Sequence, residues 1–319
     1  MSYVQDAPFT IQVDLAEGCN IRVPRPDGTT GLCWACGLNG IRNGPGDYKF
    51  MTVATAEILA AQIKDAGWTS QLLFAGFGEP SMNPNMFEII RTFRKFLPKQ
   101  YMVMLSNGAG FVKAGNINKL FDAGINTLAI EDYDGGLGEK VSWPEDREVL
   151  HYPANKEANP HQRSRKQRLV FLTDISSETK GTHSVLNNHA GIGLPAKQIK
   201  ARCAKVFREV SVKWDGHVSI CCIDWRRKTE FGNIVKTPIN EIWNNELFAA
   251  SRRVLMTGER DKIDLCSRCD HPSYRVGLLP DKFGKVKLDH YTESDLELLK
   301  ANHTFRTEIV LRPWEKNGS

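Results

Sequence analysis

Three cysteines near the amino terminus have the type and spacing of metal–sulfur ligands. Cys19 follows the alternating apolar residues 9–15, and after a further thirteen residues Cys33 and Cys36 form a C-x2-C pair. Thiolates in this pattern bind zinc or iron. Zinc in a structural site needs a fourth protein ligand, and no His or Cys lies between Cys36 and His151. Three thiolates on a cuboidal iron–sulfur cluster would leave one iron open to a small ligand, which is a catalytic arrangement.

A glycine-rich turn, GFGEP at residues 76–80, follows the apolar residues 72–75. Taken alone, it is compatible with an ordinary strand-to-helix corner, because Gly permits positive φ and Pro begins helices. Together with the cysteines it resembles the radical S-adenosylmethionine (SAM) superfamily, in which three cysteines hold a 4Fe-4S cluster and a GGE-type motif binds the methionine amino group. The resemblance implies these cluster ligands and SAM contacts: Cys19, Cys33, Cys36, Gly76, Gly78 and Glu79. The family usually has three residues between its first two cysteines, so the insert 20–32 must loop out.

The elements that must position these motifs alternate between strands and helices through the first 175 residues. Apolar patterns predict strands at 9–15, 71–75, 101–105, 125–130 and 168–174. Amphipathic patterns predict helices at 55–66, 85–97 and 117–123. Repeated β-α units predict an α/β fold with a parallel sheet closed wholly or partly into a barrel. The family resemblance favours a partial (β/α)6 barrel.

Polar residues follow two further predicted strands. Asn107 lies in a Ser-Asn-Gly that resembles the family's Thr-Asn-Gly, which implies a SAM contact. Glu131 or Asp132 stands where relatives carry a Ser-x-Asp-Gly, which implies hydrogen bonds to the ribose hydroxyls. The alternatives are a plain Asn-Gly turn and a helix cap.

The carboxyl-terminal half contains a second set of thiols, Cys203, Cys221, Cys266 and Cys269. An Asp-Gly turn between alternating residues predicts a β-hairpin over 210–223, and an amphipathic helix is predicted over 238–255. Four cysteines fully ligate either zinc or a second cluster. The arrangement resembles the Twitch/SPASM auxiliary-cluster domain, which implies a second 4Fe-4S cluster. The remaining thiol, Cys222, is predicted to be a spare, buried residue.

The predicted domains are a barrel over 1–185, a small α+β auxiliary-cluster domain over 186–275 and an extension over 276–319. A basic insert at 135–167 is predicted to be a solvated loop or a lid next to the active-site mouth. Within the stretch 141–168, a cluster of cationic residues stands near the end: Arg163, Arg165, Lys166 and Arg168. Two histidines of the following link, His183 and His189, are weaker candidates for substrate contact.

The composition fits a globular protein of the cytoplasm. The chain has 319 residues, 41% of them hydrophobic, and a net charge of +5. No apolar run approaches the roughly 18–20 residues that a membrane helix needs, so we expect no membrane partner. Eight cysteines in a reducing compartment are expected to be metal ligands and not disulfides.

The resemblance implies an enzyme, an oxidoreductase or isomerase, that uses SAM and two 4Fe-4S clusters. A 5′-deoxyadenosyl radical would abstract hydrogen from a peptide or small polar substrate, and the auxiliary cluster would accept or relay electrons. A flavodoxin or ferredoxin would supply the reducing electron. The basic residues 163–168 motivate an alternative, a modified nucleobase or nucleotide within nucleic acid as substrate. Outside enzymes, the alternative is a zinc-binding nucleic-acid adaptor.

Overall fold

The structure is a computed structural model that describes residues 6–20, 23–24, 30–31, 48–76, 78–112, 116–132, 147–152, 163–164, 166–172, 199–224, 227–271 and 288–302. Several residues singled out above lie outside these ranges: Cys33, Cys36, Arg165, His183 and His189. Their assignments stay predictions.

The fold is built on a nine-stranded sheet. Its strands are β1 (Thr10–Val13), β6 (Gln71–Phe74), β7 (Met102–Ser106), β8 (Thr127–Glu131), β9 (Glu148–Tyr152), β10 (Arg168–Leu172), β11 (Glu209–Val212), β12 (His217–Ser219) and β13 (Gly232–Asn233). They lie in the order β13-β12-β11-β1-β6-β7-β8-β10-β9. Two further pairs of short strands are β2 (Ala16–Glu17) with β5 (Lys49–Phe50) and β3 (Val23–Pro24) with β4 (Thr30–Gly31).

Strands β1, β6, β7, β8, β10 and β9 are all parallel to their neighbours. This confirms the α/β class and the partial six-stranded barrel. Five of the six were predicted within a few residues. The sixth, β9, lies inside the segment 135–167 that was predicted to be a basic insert, so at least Glu148–Tyr152 of that segment belong to the sheet. Among the described strands, β9 is at the edge of the sheet and pairs with β10 alone, and its short EVLHY sequence has only a weak apolar pattern.

Helices cover one face of the parallel strands. They are α1 (Val53–Asp65), α2 (Met86–Phe96) and α3 (Asn116–Ala123). Their apolar side chains form one core with strand residues such as Ile11, Leu72 and Leu128. The alternate strand residues, including Leu73, Val103, Ala129 and Val170, form smaller clusters on the opposite face. We call this opposite face the inner face of the barrel.

The carboxyl-terminal hairpin extends the same sheet. Strand β11 is parallel to β1, and β12 returns antiparallel to β11. Thus the sheet crosses the predicted domain boundary near residue 185, and the division into domains stays a prediction. The helices of this half are α4 (Ile239–Trp243), α5 (Glu246–Thr257), α6 (Asp264–Ser267) and α7 (Glu293–Ala301).

The single helix predicted over 238–255 is divided into α4 and α5. The division occurs at Asn245, whose side-chain oxygen accepts a hydrogen bond from the backbone N–H of Phe248 and so caps α5. Throughout the described ranges, every helix is too short or too polar to span a bilayer.

Candidate active site and auxiliary cluster site

The carboxyl ends of the parallel strands meet at one edge of the sheet, which we call the mouth. The polar residues and glycines that follow these strand ends are Asp14, Cys19, Gly76, Gly78, Glu79, Asn107, Asp132 and Lys213. Glu131 is the last residue of β8. The predicted site residues within the described ranges therefore come from separate strand ends at the same edge.

Glu79 joins the glycine-rich turn to the end of β7. Its carboxylate is buried, with 3% of the residue exposed. One oxygen accepts hydrogen bonds from the Ser81 backbone N–H at 2.9 Å and the Ser106 hydroxyl at 2.7 Å. The other accepts from the Asn107 backbone N–H at 2.8 Å. These bonds fix the backbone of the turn that the resemblance assigns to SAM.

The glycines of this turn are required by its close approach to the cysteine segment. A Cβ on Gly78 would collide with the backbone of Gly18, whose carbonyl oxygen also accepts a hydrogen bond from the Glu79 N–H at 2.7 Å. Gly76 has a φ of +137°, and a Cβ there would collide with the Asp14 carboxylate. The turn therefore lies directly against the backbone that leads to Cys19.

Cys19 and Asn107 are neighbours at the mouth. The Asn107 side-chain amide donates to the Cys19 sulfur at 3.5 Å and to the Asn20 side-chain oxygen at 2.8 Å. The Tyr48 hydroxyl donates to the Cys19 carbonyl at 3.0 Å. This thiol with an adjacent amide donor fits a cluster thiolate, which accepts hydrogen bonds. The positions of the other two cysteines of the motif stay predictions.

The two acidic candidates at the end of β8 have different surroundings. Glu131 is half-buried, and its register partner on β10 is Leu172. Because side chains alternate along a strand, it shares the inner face with Ala129. Asp132 is buried, and its backbone N–H donates to the Leu172 carbonyl at 3.3 Å. Their predicted hydrogen bonds to ribose remain a proposal.

A buried ion pair at the mouth was missed from the sequence. The Lys213 ammonium lies 3.2 Å from the Asp14 carboxylate, and both side chains are fully buried. Asp14 also accepts from the Gln12 amide at 3.3 Å, while Lys213 donates to the Ser211 hydroxyl at 3.0 Å. Burial raises the pKa of Asp14, and the charge of Lys213 opposes that rise. In the sequence, the available indication of this ion pair was a charged residue placed directly after each of two apolar strands.

The four cysteines of the carboxyl-terminal half line one cavity: Cys203, Cys221, Cys266 and Cys269. Cys203 precedes a short 3-10 turn, Lys205–Phe207, and its backbone N–H is held by the Leu255 carbonyl at 3.1 Å. Cys221 follows β12, Cys266 lies in α6 and Cys269 comes just after it. The hairpin and the helical segments thus bring thiols that lie far apart in sequence to one place.

The cavity suits an anionic metal–thiolate group. Burial raises the pKa of Cys203 and Cys266, and it raises that of Cys269 to about 11. These thiols would lose their protons on binding metal. Two buried cations, Lys205 and Arg260, also line the cavity and offset negative charge there. The residues present therefore fit a cluster held by four thiolates.

Cys222 is partly buried and not fully buried as predicted. Its sulfur lies 3.4 Å from the Lys205 ammonium, which in turn pairs with Glu209 at 2.7 Å. A hydrogen bond with Cys221 and the charge of Lys205 lower the pKa of Cys222 to about 6, against the opposing effect of burial. The same hydrogen bond, together with burial, raises the pKa of Cys221. Among the residues described, the cavity is lined by Cys221 and not by Cys222.

The basic residues near 163–168 do not lie at the mouth. The Arg163 guanidinium donates to the Thr69 carbonyl at 3.1 Å, and it lies over the Phe9 ring at 5.8 Å. Thr69 and Phe9 precede β6 and β1, and Arg168 begins β10. These residues therefore lie at the amino ends of the strands, opposite the mouth. Of the two alternatives given for this stretch, a solvated loop or a lid next to the mouth, the contacts of the described residues do not support the lid.

Comparison with known proteins supports both halves of this description. Residues 203–270 match the SPASM family, an iron–sulfur cluster-binding domain. This match supports iron–sulfur, and not zinc, as the metal chemistry of this part of the chain, while the assignment of the four cysteines as ligands stays a prediction. The chain is also 25% identical over 251 residues to the S-adenosyl-L-methionine-dependent 2-deoxy-scyllo-inosamine dehydrogenase of Niallia circulans. The alignment covers 76% of this chain and 89% of that protein.

Two solved structures have the same fold. The crystal structure of BtrN in complex with AdoMet and 2-DOIA has a TM-score of 0.62 and 22% identity, covering 84% of this chain and 94% of that one. An open conformation of BtrN has a TM-score of 0.55 and 20% identity, covering 83% and 93%. At this level of identity the likeness shows the fold, and the chemistry must be argued from the residues.

Proposed function

Because the chain is a radical SAM enzyme with a carboxyl-terminal SPASM-type domain, we propose that it is a dehydrogenase of a small amino sugar or aminocyclitol. The observation that carries this proposal is the similarity to the SAM-dependent 2-deoxy-scyllo-inosamine dehydrogenase, which extends over most of both chains. Of the two substrate classes predicted first, peptide and small polar molecule, it favours the small molecule. The same similarity gives no support to nucleic acid as the substrate.

The chemistry needs two metal centres, and the residues divide between them. When bound, SAM and its cluster would supply the abstraction of one hydrogen atom from a substrate carbon, and the SPASM cluster would supply an acceptor for the electron left behind. The hydroxyl on that carbon loses a proton, so that an alcohol becomes a carbonyl. Cys203, Cys221, Cys266 and Cys269 would occupy the four ligand positions of a 4Fe-4S cluster. No iron would then be open to substrate, which favours electron transfer as its role.

This chain's own residues hold the reactants. Glu79 fixes the turn that would bind SAM, and Cys19 with Asn107 lies beside it. On the inner face at the mouth, the half-buried Glu131 adjoins the apolar residues Ala129 and Leu172. A carboxylate bordered by apolar surface suits a compact substrate with amino and hydroxyl groups. The flavodoxin or ferredoxin donor and the cytoplasmic location remain predictions.

The test is to incubate the reconstituted enzyme with SAM, a strong reductant and a panel of aminocyclitols and amino sugars. We expect one 5′-deoxyadenosine for each carbonyl product, measured by mass spectrometry. A substrate labelled with deuterium at the oxidised carbon should transfer one deuterium to deoxyadenosine. Label transfer only from peptide or oligonucleotide substrates would contradict the proposal.

A matched pair of variants tests the role of the second cluster. Cys221→Ala removes a proposed ligand, so iron should fall from about eight to about four per chain. Carbonyl product should be lost while reductant-driven SAM cleavage continues. Cys222→Ala removes the adjacent thiol and should keep both iron and product. Equal loss in both variants would contradict the ligand assignment.

A further inference from the structure

Arg260 is a buried cation within the SPASM domain that the proposed set of cluster ligands does not include. It begins a short 3-10 turn, Arg260–Lys262, between α5 and α6, and only 2% of the residue is exposed. It lines the same cavity as the four cysteines. Burying a guanidinium is costly unless it has a definite partner, so its surroundings are informative.

The hydrogen bonds of Arg260 connect the two ends of the ligand set. Its Nε donates to the Ala201 carbonyl at 2.7 Å, and one terminal nitrogen donates to the Arg202 carbonyl at 3.2 Å. The other terminal nitrogen donates to the His271 carbonyl at 2.8 Å. The first two carbonyls directly precede Cys203, and the third lies two residues after Cys269. One planar side chain thus holds the backbone on both sides of the cavity.

Among the residues that the structure describes, no carboxylate matches the charge of Arg260. All three of its hydrogen bonds go to backbone carbonyls, and within the described ranges no acidic side chain forms an ion pair with it. Lys205, the other cation lining the cavity, differs because Glu209 pairs with it at 2.7 Å. Arg260 therefore brings a positive charge to the wall of the cavity that Cys203, Cys221, Cys266 and Cys269 also line.

We propose that Arg260 is a positioning residue of the SPASM cluster and also its buried counter-charge. It holds the Cys203 and Cys269 segments at the spacing the cluster needs. Its charge stabilises the more negative, reduced state of the cluster, which raises the reduction potential and favours acceptance of an electron. The inference uses the four cysteines as cluster ligands, and it does not depend on which substrate the enzyme oxidises.

The test measures potential and iron retention in the full-length chain without substrate. Replacing Cys19, Cys33 and Cys36 by Ala would leave only the SPASM cluster to be reconstituted with iron and sulfide. Redox titration followed by electron paramagnetic resonance then gives its potential. In this background, Arg260→Gln should lower the equilibrium constant for reduction about tenfold, which is about 59 mV for a one-electron couple.

Two further variants separate charge from positioning. Arg260→Lys keeps the positive charge but lacks the planar fork that bridges the three carbonyls. The reduction potential of its cluster should therefore match that of the parent, whereas a chelator should remove its iron several times faster than from the parent. Arg252→Gln is the matched control, because Arg252 is equally buried and donates to the Val206 and Trp243 carbonyls. Arg252→Gln should change neither the reduction potential of the cluster nor the rate at which iron is lost.

The outcomes decide the proposal in each case. An unchanged potential in Arg260→Gln, or an equal shift in Arg252→Gln, would overturn the counter-charge role. If Arg260→Gln retains no cluster, the comparison of iron loss between Arg260→Lys and Arg252→Gln decides the positioning role. Faster loss from Arg260→Lys supports it, and equal rates contradict it.

Discussion

Glu79 holds the geometry of the glycine-rich turn, residues 76–80, that we propose binds SAM. Its carboxylate accepts hydrogen bonds from three groups on two strand ends. In Glu79→Gln one of the oxygens becomes an amide NH2, which would face a donor. We expect this to reduce the free energy of unfolding by about 1–3 kcal/mol and to weaken SAM binding severalfold. Urea denaturation and equilibrium dialysis with SAM would measure the two effects.

A carboxylate elsewhere in the barrel gives the control. Glu88 is exposed on α2, so Glu88→Gln removes the same charge without removing a buried acceptor. It should leave stability within about 0.5 kcal/mol of the parent and SAM affinity unchanged. Unaltered SAM affinity in Glu79→Gln would show that the carboxylate does not shape the turn.

The types of the ligand residues could be predicted from the sequence, whereas the contacts between side chains that are distant along the chain could not. Soft ligands in two spaced sets were visible in the sequence, because thiolate chemistry is specific to cysteine. The partnership of Asp14 with Lys213 and the bridging by Arg260 depend on which strands and turns become neighbours. Since Lys213 lies 199 residues after Asp14 and Arg260 lies 59 residues after Ala201, no local pattern encodes these contacts.

Between elements, the contact of β1 with β11 joins the two halves of the chain, and the Asp14–Lys213 pair lies at its end. Lys213→Met would leave the Asp14 carboxylate buried without its counter-charge. Breaking such a pair costs about 3–5 kcal/mol. We therefore expect a clear fall in the denaturation midpoint near neutral pH. Thermal denaturation followed by circular dichroism would measure it.

The same variant should depend on pH in a definite direction. Burial already raises the pKa of Asp14, and losing Lys213 would raise it further. The folded state then binds a proton more readily than the unfolded state, so stability is lost as pH rises through the raised pKa. The loss in free energy of unfolding that Lys213→Met causes should be largest near about pH 8 and smaller near about pH 5.

An exposed ion pair provides the comparison. Lys228 lies 2.6 Å from Asp264, and the Asp264 side chain is 53% exposed. Lys228→Met should cost at most about 1 kcal/mol, without the same pH trend. Equal behaviour of the two variants would show that the Asp14–Lys213 pair does not hold β1 to β11.

The elements themselves were predictable where their patterns were long. Strand β6 and helix α2 follow apolar patterns that match their burial, and their predicted bounds differ from the observed ones by one residue at each affected end. Strand β9 was missed because an edge strand needs little apolar alternation. The break between α4 and α5 depends on the Asn245 cap, which was hidden within an otherwise amphipathic run.

For the whole molecule, the continuous sheet implies that the barrel half does not fold alone. A fragment of residues 1–185 would leave the β1 edge unpaired and the Asp14 carboxylate without Lys213. We expect it to aggregate or to unfold without a cooperative transition.

A fragment of residues 1–271 retains all nine strands of the described sheet and loses α7, whose Asp295 pairs with Arg253 on α5. It should stay soluble and unfold cooperatively at a lower temperature than the full chain. Expression of both fragments, followed by gel filtration and calorimetry, separates the alternatives. The opposite result would be a soluble 1–185 fragment that unfolds cooperatively and binds about four irons. It would show that the barrel is an autonomous domain and that the β1–β11 contact only docks a second domain onto it.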